Sequence, residues 1–255
     1  SPTASASDYA PMSKYFFGIM GRQDVEAPFL AKYIIGKYLG MKKVAVVRVD
    51  SDWGLSCFTE FSAQAEKEGI EIVAHETYQT GETDFSSIVT KVRASEPDGL
   101  CVLDQGNSVS AIFNQADADG WDIQHVALGP GTSAQLLEQL TDPENIVLTS
   151  PFFFNPEDES TKAWHDAFVE RAGFEPTIHP ACAYDCVYLV AEAIKKIGDG
   201  EVTREAIRDA LDGLEYVGLT GPIKFSPDGD IARSYMICGG SKDGWKVLEG
   251  FEYGA

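Results

Sequence analysis

Three short polar segments, each following an apolar run, carry the residues that could bind a small molecule. They are Asp-Ser-Asp-Trp-Gly at 50–54, Asp-Gln-Gly-Asn at 104–107 and Gly-Pro-Gly-Thr-Ser at 129–133. Their side chains and backbone N–H groups can form hydrogen bonds, and the first segment adds an indole ring. Nothing catalytic stands among them. The segments therefore predict that a ligand is held and not transformed.

Motifs of common enzyme classes are absent from the sequence. There is no Gly-x-Gly-x-x-Gly, no Walker A loop and no His-Glu-x-x-His. Segment 54–58 lacks the second glycine of a nucleophile elbow. Segment 129–133 could form an anion-binding nest, although a turn followed by a Ser or Thr cap is the commoner meaning. The histidines, His75, His125, His165 and His179, show no ligand spacing, so neither a metal nor a cofactor is predicted.

The five cysteines are odd in number and mostly embedded in apolar runs. This pattern predicts buried thiols and no disulfide framework. Cys182 and Cys186 are four residues apart on a predicted helix and would share a face. A metal or redox pair is the alternative there, but no second Cys or His pair accompanies them.

The charge balance excludes some partners. The 255 residues include 20 Lys and Arg against 40 Asp and Glu, a net charge of −20. Nucleic acid binding requires clustered basic residues, so nucleic acid is not an expected partner, and anionic membrane surfaces are disfavoured too. No apolar run approaches the roughly 20 residues of a transmembrane helix. The acidity favours solubility, with attraction of cationic ligands as the alternative.

The polar segments are positioned by an alternation of strands and helices. Apolar runs rich in Val, Ile and Leu predict strands at 43–50, 71–78, 99–104, 125–129 and 145–150, and helical patterns lie at 56–67, 85–94, 108–118 and 133–140. This alternation predicts an α/β fold with a doubly wound parallel sheet. Such sheets present ligands to the crevice at their strand carboxyl ends, where the polar segments lie.

The organisation changes after residue 151. Helices are predicted at 161–172, 181–197 and 203–213, the last with Thr203 as N-cap. From 221 to 251 we expect antiparallel strands, with turns at Asp228-Gly229 and Asp243-Gly244. The three helices have apolar faces but no parallel strands of their own, so the sheet that they should cover is missing.

A family resemblance accounts for that gap. Six segments carry it in order: 1–5, 15–34, 43–54, the Gly-Glu-Thr-Asp-Phe-Ser turn and cap with Asp84, the Tyr184-Asp185 helix, and 221–230. Together they resemble the C-terminal two-thirds of a type I periplasmic solute-binding protein, of the branched-chain amino-acid (Leu/Ile/Val-binding) ABC transporter receptors.

The resemblance implies a two-lobed clamp whose lobes close over a solute. Residues 1–13 would end lobe 1 and enter the first crossover. Residues 14–150 would form a Rossmann-like lobe 2, 151–225 would return to lobe 1, and 226–255 would add strands to lobe 2. The rest of lobe 1 would lie upstream of Ser1, because the sequence is a fragment or the gene model starts late. An incomplete lobe would expose an apolar face, so we expect the fragment to form a homodimer, swap or aggregate.

The resemblance also assigns ligand contacts. Thr3 and Ser5 fall where lobe 1 supplies hydroxyl and N–H groups to a solute carboxylate; a plain polar loop is the alternative. Trp53 matches a ring that packs over the solute, with simple packing as the alternative. Gln105 matches another wall position. His179 falls near the opposite wall, whereas Tyr184 and Asp185 are expected to be structural.

The loop that contains Gly131 and Thr132 is the last predicted contact, and it departs from the family pattern. Amino-acid receptors of this group commonly carry an acidic residue there for the solute's ammonium, but this sequence has Gly131. A buried ammonium needs a counter-charge. Either Asp104 or a residue of the upstream lobe supplies it, or the solute has no amine. Small carboxylates and amides therefore join amino acids as candidate solutes.

The resemblance thus predicts the solute-binding component of an ABC importer, which binds a small amino acid or related carboxylate or amide between its lobes and is not an enzyme. Its partners would be the solute and a membrane permease. It would act in the periplasm or outside the cell, with a lipoprotein anchor upstream as one attachment. The alternative is the ligand-binding sensor domain of a receptor or regulator, and a doubly wound enzyme with its catalytic residues upstream is a third hypothesis.

Overall fold

The computed structural model describes residues 1–129, 133–152, 154 and 158–251. The chain forms two compact units. Unit 1 contains Ser1–Arg22 and Pro151–Ser234, and unit 2 contains Gln23–Ser150 and the strands that start at Tyr235. Each unit has its own hydrophobic core.

The strands of the described residues fall into two sheets. In chain order they are β1 (Lys43–Val49), β2 (Glu71–Tyr78), β3 (Gly99–Leu103), β4 (Gln124–Ala127), β5 (Ile146–Ser150), β6 (Glu215–Gly218), β7 (Gly221–Lys224), β8 (Tyr235–Gly239) and β9 (Lys246–Phe251). Unit 2 holds the sheet β2-β1-β3-β4-β5-β8-β9, and β6 pairs with β7 in unit 1.

The parallel part of the large sheet confirms the predicted fold class. Strands β1 to β5 pair in parallel, and their ends agree with the predicted ones within two residues. Every residue of β3 and β5 is buried. Strands covered on both faces have continuous apolar sequences, which explains the Val, Ile and Leu runs. Strands β8 and β9 extend the sheet in antiparallel fashion from β5.

The α-helices are α1 (Gln23–Phe29), α2 (Asp52–Glu68), α3 (Ser86–Arg93), α4 (Asn107–Ala118), α5 (Ala134–Gln139), α6 (Glu159–Ala172), α7 (Ile178–Ile197) and α8 (Arg204–Leu211). Helix α1 continues as the π-helical segment Leu30–Tyr38. Single 3₁₀ turns lie at Ala10–Met12 and Pro143–Asn145.

Helix α2 begins four residues earlier than predicted. Ser51 is its N-cap, and its hydroxyl accepts a hydrogen bond from the Gly54 N–H at 3.1 Å. The cap satisfies one of the free N–H groups of the first turn. Trp53 therefore lies in the first turn of a helix and not in a strand-end loop.

The predicted tail is correct at one turn and wrong at one pairing. Strands β8 and β9 form the expected antiparallel pair around Asp243-Gly244. The segment predicted to pair with them across Asp228-Gly229 instead supplies β7, which pairs with β6. Backbone hydrogen bonds from Ser226 N–H to Asp230 and from Gly229 N–H to Ser226 close that turn, and its flanks form an isolated bridge between Phe225 and Ile231.

In unit 1, helix α7 packs against α8 and against β6 of the β6–β7 hairpin. Thr203 caps α8 as predicted, accepting the Ala206 N–H at 3.1 Å. Helix α7 begins three residues before the predicted start, because Pro180 lies in its first turn, where no N–H donor is needed. One stripe of α7 is exposed and apolar, with Val187 at 68 %, Val190 at 41 % and Ile194 at 40 % exposure.

A buried polar network ties α7 to the turn between β6 and β7. The Asp185 carboxylate accepts hydrogen bonds from the Leu219 N–H at 2.8 Å, the Thr220 N–H at 2.9 Å and the Thr220 hydroxyl at 2.6 Å. Buried Arg233 donates to the Thr220 hydroxyl at 2.8 Å. A Cβ at Gly218 would collide with the Asp185 carboxylate. Asp185 is thus structural, as expected.

A second buried ionisable group lies in unit 2. His125 on β4 is fully buried, and its ring stacks on Phe113 of α4 with centroids 4.3 Å apart. Its Nε2 is 3.5 Å from Asp117 Oδ1, and neither ring nitrogen has a hydrogen-bond partner in the described part of the chain. Burial lowers the pKa of His125 to about 4.

We predict that replacing Asp185 by alanine destabilises unit 1 by about 3 kcal/mol, because two backbone N–H groups lose their acceptor. Urea unfolding should shift to lower concentration, and the amides of Leu219 and Thr220 should exchange faster. Asp199→Ala, at an exposed position, is the control and should change stability by less than about 0.5 kcal/mol. Unchanged unfolding of Asp185→Ala would contradict the stabilising role.

His125 should make unit 2 sensitive to acid. Its pKa is lowered in the folded state from about 6.5 in the unfolded chain, so its neutral form is stabilising above pH 6.5 and that stability is lost as the pH falls towards 4. The loss should reach about 3 kcal/mol. Urea unfolding between pH 4 and 7 should show a smaller loss for His125→Phe than for the parent. The same pH dependence in both proteins would refute this prediction.

Candidate ligand-binding site

The strand order of unit 2 reverses at β1 and β3. The chain adds β2 on one side of β1, then returns to add β3, β4 and β5 on the other side. Because these strands are parallel, their carboxyl ends lie along one border of the sheet, here called the carboxyl edge. Ligands of open α/β sheets bind outside the strand ends at such a reversal.

Trp53 follows β1 at the carboxyl edge. Its ring is half-buried and packs against the core of unit 2 from the first turn of α2. Packing and ligand contact therefore do not exclude each other here, since Trp53 packs against the core and remains partly exposed.

Gln105 follows β3, the neighbouring strand. Its side chain is exposed, in the loop that enters α4. The next residue, Gly106, has φ 84°, a conformation that favours glycine and lets the chain turn sharply into the helix. The structure thus brings Trp53 and Gln105 to the ends of adjacent strands.

Two carboxylates at this edge are held by neighbouring side chains. Asp104 accepts a hydrogen bond from the Tyr78 hydroxyl. Burial raises the pKa of Tyr78, and its hydrogen bond to Asp104 raises the pKa further. The phenol therefore keeps its proton and remains the donor. Asp50 lies 3.5 Å from Arg48 Nη1 and accepts from Gln79 Nε2 at 2.9 Å.

A third carboxylate, Glu26, is a residue that the sequence did not single out. It lies in α1, and its Oε1 accepts from the Thr149 hydroxyl at 2.5 Å and the Gly129 N–H at 3.2 Å. A Cβ at Gly129 would collide with the Thr149 carbonyl, so only glycine permits this close approach. Burial raises the pKa of Glu26, and the two hydrogen bonds oppose that rise.

The negative charges of Glu26 and Asp104 both affect the pKa of one thiol in α2, that of Cys57. Burial is the largest cause of the raised pKa of Cys57, and the negative charges of Glu26 and Asp104 raise it further. Cys57 follows Trp53 by four residues on α2, hence on the same helix face. The two carboxylates and the indole therefore belong to one neighbourhood of unit 2.

The other predicted contacts lie elsewhere. Thr3, Ser5 and His179 belong to unit 1. Thr3 is exposed and its N–H lies 3.4 Å from Ser1 Oγ, whereas Ser5 is half-buried. His179, in the first turn of α7, is half-buried, and burial lowers its pKa. Gly131 and Thr132 lie outside the described residues. The ligand roles of all seven predicted residues stay predictions.

The described residues hold no group of three His, Cys, Asp or Glu side chains arranged for a metal ion. The five cysteines are free thiols, four of them buried, as the sequence predicted. Burial raises the pKa of Cys182 to about 11, so this thiol is unreactive near neutral pH. Among the described helices, none combines the length and apolar character needed to cross a bilayer.

Comparison with known proteins agrees with this architecture. The Leucine-, isoleucine-, valine-, threonine-, and alanine-binding protein of Pseudomonas aeruginosa is 25 % identical over 232 residues, which are 90 % of this chain and 61 % of that protein. The chain thus spans about three fifths of the length of this curated relative.

Solved structures share the fold. The branched-chain amino acid transporter substrate binding protein LivJ from Streptococcus pneumoniae, in complex with isoleucine, matches with a TM-score of 0.85 and 26 % identity over 98 % of this chain and 71 % of that one. An ABC transporter solute binding protein from R. palustris, in complex with benzoate, has a TM-score of 0.88 over 98 % of this chain and 69 % of that one; at 16 % identity the likeness concerns the fold alone.

The sequence family described as "Periplasmic binding protein" matches residues 1–244, which take in nearly all of both units. This match and the Leu/Ile/Val-binding relatives confirm the resemblance drawn from the motifs. The chain belongs to the periplasmic binding protein family.

Proposed function

We propose that this protein is the extracytoplasmic solute-binding component of an ABC importer, which holds a small amino acid or a related carboxylate or amide and releases it unchanged. The carboxyl edge of unit 2 carries the proposal, because Trp53 and Gln105 follow the two strands at the reversal of the sheet. The names of all three compared proteins describe solute or substrate binding, which supports binding without chemistry.

The solute class follows from the side chains at this edge. A half-buried indole ring favours an apolar or aromatic body, and an exposed glutamine offers both a donor and an acceptor to a polar end. Isoleucine and benzoate, held by two proteins of this fold, each join an apolar body to a carboxylate. Because position 131 is glycine, solutes without an amine remain in the proposed class.

In this proposal unit 2 is one lobe of a clamp and unit 1 contributes to the other. Thr3, Ser5 and His179 are the proposed ligand contacts of unit 1, and Gly131 and Thr132 are proposed contacts from the sequence that follows Gly129. The proposed partner is a membrane permease, and the proposed location is the periplasm or the cell exterior, with or without a lipid anchor. The exposed apolar stripe of α7 supports self-association of this chain into a homodimer.

A thermal-shift screen should identify the solute class. The panel comprises L-leucine, L-isoleucine, L-phenylalanine, benzoate and small amides, with a nucleotide and a sugar phosphate as contrasts. A solute at about 100 times its Kd adds roughly 2.7 kcal/mol to the folded state, which raises the midpoint visibly. A shift with the nucleotide or the sugar phosphate alone would contradict the proposed class.

Replacing Trp53 by alanine should weaken solute binding by about 10-fold or more, because a ring that covers the solute contributes on the order of 1–3 kcal/mol. Trp53→Phe should retain most of the affinity. The control is Trp121→Ala, which removes an indole that is not a predicted ligand contact. The Trp121 ring lies beside Arg93 instead, with the guanidinium carbon 6.0 Å from the ring centre. Calorimetric titration measures the affinities, and equal losses in the two alanine variants would remove Trp53 from the site.

A further inference from the structure

Glu26 differs from the other acidic residues of the carboxyl edge in how its charge is balanced. Asp50 has Arg48 beside it. Glu26 is held by a hydroxyl and a backbone N–H, and no cation contributes to its ionisation within the described part of the chain. Both hydrogen bonds go to Oε1, which leaves Oε2 without one from the described residues.

The surroundings of Glu26 favour a positive partner. The side chain is half-buried, and burial raises its pKa because the carboxylate has lost water without gaining a cation. An ion in that state is stabilised by a charge of opposite sign placed beside it. The bonds to Thr149 and Gly129 meanwhile fix the orientation of the carboxylate.

Resting on the proposed function, we propose that Glu26 is the counter-charge for the ammonium group of the solute and so selects amine-bearing solutes over their des-amino analogues. The position of Glu26 supports this role. Glu26 accepts hydrogen bonds from Gly129 and Thr149 at the strand ends. It is also near enough to raise the pKa of Cys57, which lies on the same face of α2 as Trp53. Position 131 is glycine and supplies no negative charge.

Asp104 is the competing residue for the same task. It is half-buried like Glu26, no Lys or Arg forms an ion pair with it among the residues that the structure describes, and the Tyr78 hydroxyl donates to it. Two hydrogen bonds, one of them from a backbone N–H, hold the Glu26 carboxylate in one orientation, whereas one side-chain hydroxyl holds Asp104. The experiment must therefore compare both residues.

The test uses the full protein as its gene encodes it and two pairs of compounds. The pairs are L-leucine with 4-methylpentanoate and L-phenylalanine with 3-phenylpropanoate, which differ only in the amine. Calorimetric titration at pH 7 gives the preference of the parent and of Glu26→Gln for each amine over its analogue. Glutamine keeps an Oε1 acceptor for Thr149 and Gly129, so the fold is expected to survive, and a thermal midpoint checks this.

We expect the parent to prefer the amine and Glu26→Gln to reduce that preference by about 30-fold, because one partner of a desolvated charge pair is lost. Glu138→Gln, at an exposed position on α5, removes the same charge and should leave the preference unchanged. An intact preference in Glu26→Gln, or its loss in Asp104→Asn alone, overturns the inference.

The parent protein separates the two proposals. If it binds the des-amino analogues as tightly as the amines, the inference fails while the solute-binding function stands. If it binds no compound of either pair or of the screening panel, the proposed function fails and the inference with it.

Discussion

Parallel pairing of β1 to β5 is the constraint on which the carboxyl edge depends. Since these five strands run the same way, each connection that leaves one of their carboxyl ends emerges along one border of the sheet. Residues far apart in the chain, such as Trp53, Gln105 and Thr149, reach that border for this reason alone. An antiparallel strand among these five would send its connection to the opposite border and would disperse the site.

Much of unit 2 could be predicted because its strands are buried on both faces. Continuous apolar runs mark such strands, and their ends were located within two residues. The order of the strands is a tertiary property, so no local pattern reveals that β1 and β3 are neighbours. Glu26 was missed for a related reason: it precedes β1 in the chain, and only the folded sheet brings α1 beside Gly129 and Thr149.

Unit 1 shows where turn chemistry misleads. Asp228-Gly229 is a genuine turn, but its flanks form only an isolated bridge. The β6–β7 hairpin is stabilised by a residue outside both strands. Asp185 on α7 accepts hydrogen bonds from the N–H groups of Leu219 and Thr220, which lie between the two strands. A long-range hydrogen bond of this kind leaves no signal in local sequence. The Thr203 cap, by contrast, is a local contact and was predicted correctly.

The contact between Gly218 and Asp185 has a consequence for sequence divergence among relatives. The carboxylate occupies the volume that a side chain at 218 would need, while its oxygens satisfy the turn that immediately follows. Substitution at either position alone therefore leaves a steric clash or unsatisfied backbone donors. Positions 185 on α7 and 218 in the hairpin should therefore be substituted together during evolution, although they lie far apart in the chain.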